Sequence, residues 1–404
     1  MKPYDINSIH KILLWKKRKY KVTSLFVKPK TYIVDFIPIN KTPRSFCQTT
    51  ITIEKSKVNK TYLPQTLQDS QNPIEVTQPE IIAYHLKNII ATSDSTFFIT
   101  ADMKAAFYEK LHEDNRDIYI YNDANILFHS HSLARIKSLP FCEFQNDALF
   151  LGGLFTFNYY HFLIEILSKT EYIKHIPGGD SLTIVLDSSI QENKNLKYLA
   201  EIFLKNYKIV YLKKDLYYSF KNLWFINNPN PTIPNISEGS KYEASFTNIN
   251  PSSIMYLRKI CLESYNEKQI SIKPIKRVFI ARKSDFRRYN ESDLLEIAKK
   301  YEFQAVYFED LSINEQIFII QNADYILGAS GAAWTNILFA LPHSKGLTWL
   351  GSVWGDFSVF STLAKLVDFD LYFLRYESKT SYFHEDYIIQ PDIFERHIIK
   401  LLEI

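Results

Sequence analysis

The chain has 404 residues, of which 46% are apolar and 23% charged, and its formal net charge at pH 7 is +4. These fractions exclude a mostly disordered or collagen-like chain. The small net charge gives no support for a nucleic-acid-binding protein, since such proteins carry a strong basic excess. Three cysteines without metal-ligand spacing predict neither a disulfide framework nor a zinc centre. The few cysteines make a reducing cytosol the expected location. No apolar run reaches the ~20 residues of a membrane span, and the N-terminus lacks the order of a signal peptide.

The first 140 residues mix short apolar runs with prolines and lysines. The polar, proline-interrupted stretch from Pro64 to Pro79 predicts a loop. Pro79 suits a first helical turn, so a helix is expected at Pro79–Ala91. Runs of β-forming residues predict strands at Lys21–Val27, Tyr32–Ile37, Thr49–Ile53, Phe97–Thr100 and Ile118–Tyr121.

One N-terminal segment is both apolar and basic. Residues Ile12–Lys21 read ILLWKKRKYK, which places five cations beside a short apolar run. Such a segment can contact an anionic membrane surface. A solvated basic element explains the same residues, and a segment of this kind is too weak to anchor a protein alone.

From residue 148 onwards, short apolar runs alternate with helical segments, which indicates parallel strands joined by crossover helices. In the middle of the chain, strands are expected at Ala148–Gly153, Leu182–Asp187 and Lys208–Leu212, and helices at Asn158–Tyr172 and Glu192–Tyr207. Residues Asn227–Gly239 contain three prolines and four asparagines and predict a linker.

After this linker the alternation is clearer. Strands are expected at Arg277–Ala281, Gln304–Phe308, Asp324–Gly328, Gly346–Leu350 and Leu371–Leu374. Helices are expected at Glu291–Tyr301, Ile313–Asn322, Ala332–Leu341 and Phe357–Val367. The fold class is therefore α/β with two doubly wound lobes, and a ligand is expected at the carboxyl ends of the strands.

The segment Asp324–Leu341 is the most informative. A strand runs into Gly328-Ala-Ser-Gly331, and a helix opens at once. Glycine lets the backbone approach a ligand closely, and the free N–H groups of a helix N-terminus suit a phosphate. Ser330 and Thr335 add hydroxyl donors. A tight turn without any ligand explains the pattern equally well.

Four cations follow the strand Arg277–Ala281. Arg282, Lys283, Arg287 and Arg288 stand at its carboxyl end, where they can clamp an anion. A solvated basic loop is the alternative, and Asp285 can pair with one of the cations.

His161 and Glu165 are four residues apart, so they share one face of the helix Asn158–Tyr172. A histidine near a helix N-terminus has its protonated form disfavoured, which suits a neutral general base. Glu165 can orient it. A buried structural histidine beside a solvated glutamate is the alternative.

Two further patterns have simple structural explanations. Ser312 and Glu315 have the spacing of a helix capping box. Asp368 and Asp370 resemble a metal-binding DxD, but no further ligand stands near them in sequence, so no metal is expected.

Three segments, taken in order, resemble glycosyltransferase family 61. They are NYYHFLIEIL (158–167), ARKSDFRR (281–288) and EDLSINEQIFIIQNADYILGASGAAWTNILF (309–339). The resemblance covers roughly residues 148–350. It implies a GT-B-like fold of two Rossmann-type lobes with a β-rich N-terminal extension, inversion at the anomeric carbon, and no metal or other cofactor. It also implies a place in bacterial capsule or other surface-polysaccharide synthesis.

On this resemblance, residues 1–140 form a β-rich part of the acceptor lobe, and 141–226 form the first Rossmann-like lobe. Residues 227–250 are the linker, and 251–404 form the second lobe, which binds the donor. The implied partners are a nucleotide-sugar donor and an oligosaccharide or lipid-linked glycan acceptor, with peripheral contact at the cytoplasmic face of the membrane and no nucleic acid. The sugar moved is a hexose, a pentose or an N-acetylhexosamine.

The resemblance places His161 and Glu165 at the catalytic positions. His161 is expected to be the base, with Glu165 assisting it or taking that role itself. The expected donor- and phosphate-binding residues are Arg282, Lys283, Arg288, Ser330, Gly331, Thr335 and Asn336. Two positions depart from the family, which usually has histidine at Ser330 and glutamate at Thr348.

Two other classes of protein remain open. One is a non-catalytic carbohydrate-binding or scaffold protein on a degenerate glycosyltransferase fold, which the two departures favour. The other is a Rossmann-type oxidoreductase, although no GxGxxG follows a strand with an acidic residue about twenty positions later.

Overall fold

The computed structural model describes residues 6–23, 30–110, 121, 125–232, 236, 240–283 and 286–404, with side chains described for residues 8–17 of the first range. The chain divides into two compact units. The N-terminal unit comprises Met1–Lys57 and Pro79–Ser240, and the C-terminal unit comprises Val58–Gln78 and Lys241–Ile404. A short piece of the first 140 residues therefore belongs to the C-terminal unit. Within the described ranges, none of the helices combines the length and apolarity that crossing a membrane requires.

The elements of the described residues are as follows. The α-helices are α1 (Ile6–Thr23), α2 (Ser189–Glu192), α3 (Lys194–Phe203), α4 (Pro251–Ser264), α5 (Glu291–Lys300), α6 (Ile313–Asn322), α7 (Val359–Leu366) and α8 (Pro391–Glu403). The strands are β1 (Thr31–Pro38), β2 (Cys47–Glu54), β3 (Lys57–Thr61), β4 (Ile74–Gln78), β5 (Ile81–Ala91), β6 (Phe97–Thr100), β7 (Ala105–Tyr108), β8 (Ile126–His129), β9 (Leu133–Lys137), β10 (Phe141–Phe144), β11 (Ala148–Phe150), β12 (Thr183–Asp187), β13 (Ile209–Leu212), β14 (Tyr217–Ile226), β15 (Arg277–Ala281), β16 (Gln304–Tyr307), β17 (Tyr325–Ala329), β18 (Lys345–Gly351) and β19 (Asp370–Tyr376). The longer irregular helices are a π-helix, His161–Ile166, and the 3₁₀ helices Leu167–His175 and Ala332–Phe339.

The N-terminal unit is built on one mixed sheet, which has twelve strands among the described residues. Its order is β13-β12-β11-β14-β5-β6-β7-β1-β9-β8, with β10 paired to β14 and β2 paired to β5. The strands β11 to β14 pair in parallel, as the alternation in the middle of the chain predicts. They join the antiparallel N-terminal strands through the β14–β5 pair.

The helix predicted at Pro79–Ala91 is wrong, because these residues form strand β5. Its isoleucines are β-branched, and the backbone of β5 pairs with both β14 and β2. This long-range pairing outweighs the local signal of Pro79. The strand predicted at Lys21–Val27 is also wrong for its first residues, since α1 continues to Thr23. Residues 24–27 and 118–120 of the predicted strands lie outside the described residues.

The core of the N-terminal unit lies on the sheet. The rings of Phe98 and Phe150 meet edge to face with centroids 5.4 Å apart, and Phe98 lies 4.8 Å from Phe225. These side chains are fully buried and come from β6, β11 and β14. Burial of large aromatic rings supplies much of a core's hydrophobic stabilisation. It also fixes the end of β11, from which the chain runs towards His161.

The C-terminal unit has a five-stranded parallel sheet in the order β16-β15-β17-β18-β19. These are the five strands that the sequence predicts, to within a few residues. The chain leaves β15 for β16 on one side and then returns to β17 on the other side. The strand order therefore reverses between β15 and β17, and ligands of open α/β sheets bind at such a switch point.

The helices of this unit form two groups. Helices α5 and α8 pack together, whereas α6 and α7 pack against the 3₁₀ helix Ala332–Phe339. Helix α6 begins with the predicted capping box. The Ser312 hydroxyl accepts from the Glu315 N–H at 3.3 Å, and the Glu315 carboxylate accepts from the Ser312 N–H at 2.8 Å.

We expect Ser312→Ala to lower the free energy of unfolding of the protein by about 1 kcal/mol, since it leaves a helix N–H without its acceptor. Urea denaturation followed by circular dichroism measures this change. Ser292→Ala, at an exposed position in the first turn of α5, is the control and should have little effect. Equal stability of the two variants would show that the capping box does not contribute.

Candidate functional site

The loop after β11 leads to the predicted histidine. Asn158 ends this loop, and its side-chain oxygen accepts from the Tyr160 N–H at 2.9 Å, which starts the following helix. That helix is a π-helix over His161–Ile166 and a 3₁₀ helix from Leu167. The sequence predicts a helix here, but it does not predict a π-helix followed by a 3₁₀ helix. Phe162, Leu163, Ile164 and Ile166 are buried and hold the helix in the core.

The structure brings His161 and Glu165 together. The Nδ1 atom of His161 lies 2.8 Å from Oε2 of Glu165, and the two side chains are 19% and 12% exposed. An ionised carboxylate only accepts hydrogen bonds, so a neutral imidazole donates to it from Nδ1. Nε2 then carries the lone pair, and this is the atom that can take a proton.

Aromatic side chains surround the imidazole of His161. The rings of Phe155 and Tyr160 each have centroids 5.2 Å from the imidazole. Phe155 has φ of 61°, a left-handed backbone conformation that is strained for an aromatic residue. The strained turn presents the Phe155 ring to His161, so the loop after Gly153 shapes the surroundings of the imidazole.

The asparagine-rich segment that predicts a linker contacts this helix. Residues Asn228, Asn230 and Thr232 are buried. The Asn230 side chain donates to the Ile164 carbonyl at 2.8 Å, and the Tyr160 and Thr232 hydroxyl oxygens are 3.0 Å apart. The beginning of the segment is thus packed in the N-terminal unit. Residues 233–235 and 237–239 lie outside the described part of the chain.

Two buried charged residues near His161 were not singled out by sequence analysis. Lys169 is 1% exposed and Glu109 is 6% exposed. Burial raises the pKa of Glu109, and the positive charge of Lys169 opposes that shift. Burial lowers the pKa of Lys169, and the charges of Glu109 and Glu165 oppose it. Lys169 could have been found from its spacing, four residues after Glu165, whereas nothing near Glu109 in sequence points to it.

In the C-terminal unit, Arg282 follows β15 directly and reaches the turn after β17. Its Nη2 donates to the Ala329 carbonyl at 3.2 Å and to the Ser330 carbonyl. Its backbone N–H donates to the Glu291 carboxylate, at 3.1 Å to Oε2. The guanidinium therefore lies at the switch point between β15 and β17, where an anionic ligand is expected.

Gly331 contacts the same guanidinium. A Cβ atom at this position would lie 2.5 Å from Nη2 of Arg282, so a side chain there would displace the guanidinium. The φ of Gly331 is 168°, which is ordinary extended backbone. The glycine is therefore required for space, and not for an unusual conformation.

Thr335 and Asn336 lie beyond the turn, in the 3₁₀ helix Ala332–Phe339. Both are buried. The Asn336 amide donates to the Gln316 side-chain oxygen at 3.0 Å, which ties this helix to α6. The Thr335 hydroxyl is buried and has no hydrogen-bond partner among the residues that the structure describes. The structure thus groups Arg282 with Ser330 and Gly331, and places Thr335 and Asn336 inside the fold.

The other cations of the loop after β15 differ in their partners. Lys283 forms an exposed ion pair with Asp310 at 2.6 Å, and Arg288 forms one with Asp386 at 2.8 Å. Arg287 lies with its Cζ 5.1 Å from the centre of the Trp354 ring. Burial and the nearby positive charge of Arg282 lower the pKa of Arg287. Two neighbouring guanidiniums repel each other and favour an anion beside them.

Asp285, which sequence analysis considers as a partner of one of these cations, lies outside the described residues. Asp368 lies 3.4 Å from His343, and Asp370 lies 3.6 Å from Lys365. Within the part of the chain that the structure describes, no group of three or more His, Cys, Asp or Glu side chains could hold a metal ion. Thr348 is fully buried in β18, and no described residue forms a hydrogen bond with its hydroxyl.

Comparison with known protein families finds a similarity over part of the chain. Residues 159–347 match the family model described as Glycosyltransferase 61. This match confirms the resemblance drawn from the sequence. It includes His161, Glu165, Arg282 and the turn at Gly331. No curated protein matches the chain.

Proposed function

We propose that this protein, whose residues 159–347 match the family model of glycosyltransferase family 61, moves a sugar from a nucleotide-sugar donor to a hydroxyl of a glycan acceptor with inversion at the anomeric carbon. The observation that carries the proposal is the hydrogen bond between His161 and Glu165 inside the matched segment. It leaves one imidazole nitrogen with a lone pair, as a general base requires.

In the proposed reaction, Nε2 of His161 takes the proton of the acceptor hydroxyl. The acceptor oxygen forms a bond to the anomeric carbon as the bond from that carbon to the donor phosphate oxygen breaks. Attack on the face opposite the leaving phosphate inverts the configuration. The positive charge that develops on the imidazole is stabilised by the Glu165 carboxylate at Nδ1.

The leaving phosphate gains negative charge, which we propose the C-terminal unit stabilises. Arg282 is the central group, because it lies at the switch point beside Gly331. Arg287 adds a second positive charge near it. Lys283 and Arg288 contribute less, since each is already paired with an aspartate. Fixed cations of this kind replace the divalent metal that other phosphate-transferring sites use.

The proposed GT-B-like architecture rests on the resemblance to glycosyltransferase family 61, and the proposed roles are divided accordingly. The N-terminal unit supplies the base, and the C-terminal unit binds the donor at its doubly wound sheet. The proposed setting is the synthesis of capsular or another surface polysaccharide. A non-catalytic carbohydrate-binding protein is the second candidate, and the departures at Ser330 and Thr348 favour it.

We expect His161→Ala to abolish sugar transfer, because the acceptor hydroxyl then has no base. The rate of transfer is measured over a panel of UDP-, GDP- and CMP-sugars with oligosaccharide acceptors, and nucleotide binding is measured by calorimetry. Nucleotide binding should be retained. His397→Ala, on α8 of the C-terminal unit, is the control and should keep wild-type transfer. Full transfer by His161→Ala would show that another residue is the base. A wild-type protein that binds glycan but transfers no sugar would favour the non-catalytic carbohydrate-binding protein.

We expect Arg282→Ala to lower turnover by ~10²–10³-fold, the cost of removing one fixed donor from a developing anion. The fold should remain intact, as judged by circular dichroism. Arg396→Ala is a matched control, since Arg396 is an exposed arginine of the same unit in an ion pair with Asp392. Turnover by Arg282→Ala equal to that of Arg396→Ala would remove Arg282 from the mechanism.

The same assay tests the absence of a metal from the proposed reaction. EDTA should leave the wild-type rate unchanged, because the cations of the C-terminal unit neutralise the leaving phosphate. A loss of rate that Mg²⁺ or Mn²⁺ restores would contradict this part of the proposal. It would bring Asp368 and Asp370 back into consideration as metal ligands.

We further propose that α1 contacts the anionic surface of the membrane at its cytoplasmic face, where lipid-linked glycan acceptors are held. Leu13 is fully buried and fixes the helix to the unit, while Trp15 is 61% and Ile12 49% exposed. Helix α1 contains no aspartate or glutamate and carries six lysines and arginines. An exposed tryptophan among cations suits the headgroup region of an anionic bilayer.

We expect the protein to sediment with vesicles of phosphatidylglycerol and phosphatidylcholine but less with phosphatidylcholine alone, because the cations need anionic headgroups. The double variant Ile12→Ser/Trp15→Ser should sediment several-fold less. Phe141→Ser, which alters a 50% exposed aromatic residue on β10, is the control. Equal sedimentation of all three proteins, or no dependence on anionic lipid, would contradict the proposal.

A further inference from the structure

A buried lysine and a buried glutamate next to the His161–Glu165 pair have no role in the proposed reaction. The side chains of Lys169 and Glu109 are almost completely buried. Charged residues are rarely buried to this degree unless they are paired, because an ion loses its hydration on burial. Their presence therefore requires a reason within the unit.

The contacts of these two residues come from three parts of the N-terminal unit. Lys169 lies in the 3₁₀ helix Leu167–His175, and its Nζ is 4.8 Å from the centre of the Phe225 ring on β14. Glu109 directly follows β7 and accepts a hydrogen bond from the Asn228 N–H. The ammonium of Lys169 interacts electrostatically with both Glu109 and Glu165.

The carboxylate of Glu165 is only half satisfied. One oxygen accepts from His161, whereas the other, Oε1, is buried without a hydrogen-bond partner among the described residues. A buried carboxylate oxygen without a donor carries a desolvation cost, and a positive charge nearby offsets that cost. A protonated Glu165 could donate to Nδ1 of His161, and the imidazole proton would then lie on Nε2. In that tautomer His161 cannot act as the base.

We propose that Lys169 is a positioning residue, whose buried ammonium keeps Glu165 ionised and so holds the proton of His161 on Nδ1. The role of this tautomer in transfer rests on the proposed function. The effect of Lys169 on His161 does not rest on the proposed function, because it is a property of the unliganded protein. Glu109 holds the ammonium in place and partly offsets its charge.

The test is a pH titration of His161 by NMR in protein labelled with ¹³C- and ¹⁵N-histidine. The resonance of His161 is assigned by its absence from His161→Ala. Lys169→Met removes a positive charge, so the His161–Glu165 pair binds a proton more readily. The midpoint of the titration should move to higher pH by roughly one unit or more. Lys169→Arg keeps the charge and should restore the midpoint, and Lys174→Met, at an exposed position of the same 3₁₀ helix, should not move it.

A second variant keeps the test decisive if Lys169→Met does not fold. Glu109→Gln removes a negative charge, so the midpoint should move to lower pH. Tyr160 also contacts the His161–Glu165 pair, but burial and the charge of Glu165 raise the pKa of Tyr160, so it does not titrate in this range. A loss of packing alone would not move the midpoint of the His161 titration to higher pH in one variant and to lower pH in the other. An unmoved midpoint in Lys169→Met, or the same direction of shift in both variants, overturns the proposal.

Kinetics separate this proposal from the proposed function. If the wild type transfers sugar, Lys169→Met should lower kcat by tenfold or more, leave the donor KM unchanged and move the acidic limb of the pH–rate profile to higher pH. An active wild type with an unmoved His161 midpoint in Lys169→Met overturns the positioning role alone. A moved midpoint in a protein without any transfer activity supports the positioning role and contradicts the proposed function.

Discussion

In the proposed reaction, the N-terminal unit depends on an ionised Glu165 carboxylate in a place with little water. Its hydrogen bond to His161 fixes the imidazole only while the carboxylate is an acceptor. Among the described residues, His161 is the direct partner of Oε2, and Oε1 has no hydrogen-bond partner. In the proposed arrangement, the buried ammonium of Lys169 supplies a positive charge near this carboxylate. The proposed gain from burying these ions is one defined proton position on the imidazole.

The C-terminal unit reaches its arrangement through topology. The order β16-β15-β17 makes the ends of β15 and β17 neighbours at a strand reversal. Arg282 follows the first strand and Gly331 the second, so residues 49 positions apart in sequence meet without any special local motif. The absence of a side chain at Gly331 leaves the space that the guanidinium occupies. Arg282 is then held by two main-chain carbonyls, which fixes a positive charge at the edge of the sheet.

Much of this could be predicted from the sequence where the signals are local. The strands and helices of the C-terminal unit follow from regular alternation, and the pairing of His161 with Glu165 follows from their spacing. Strand β5 could not be predicted, because its partners β2 and β14 lie far away in sequence and outweigh the helix signal of Pro79. The position of Glu109 near the helix of His161 could not be predicted either, because it also depends on contacts between residues far apart in sequence. It reaches the helix of His161 only because β7 belongs to the same sheet as β14. The cations after β15 look alike in sequence. In the structure, Lys283 is paired with Asp310 and Arg288 with Asp386, which distinguishes both from Arg282.

The two departures from the family affect the fold and the ligand differently. At Ser330 the contact to Arg282 is made by the carbonyl group, so the side chain at this position does not decide whether the guanidinium is held. Thr348 is different, because it is fully buried in β18 and its hydroxyl has no hydrogen-bond partner within the described ranges. A glutamate there would place a carboxylate beside Gly328, which is in register with Thr348, and in the proposed reaction it would accept hydrogen bonds from ribose hydroxyls. Threonine supplies no such charge. On the proposed function, recognition of the nucleotide therefore falls to other groups, and the proposed phosphate binding by Arg282 does not depend on this position.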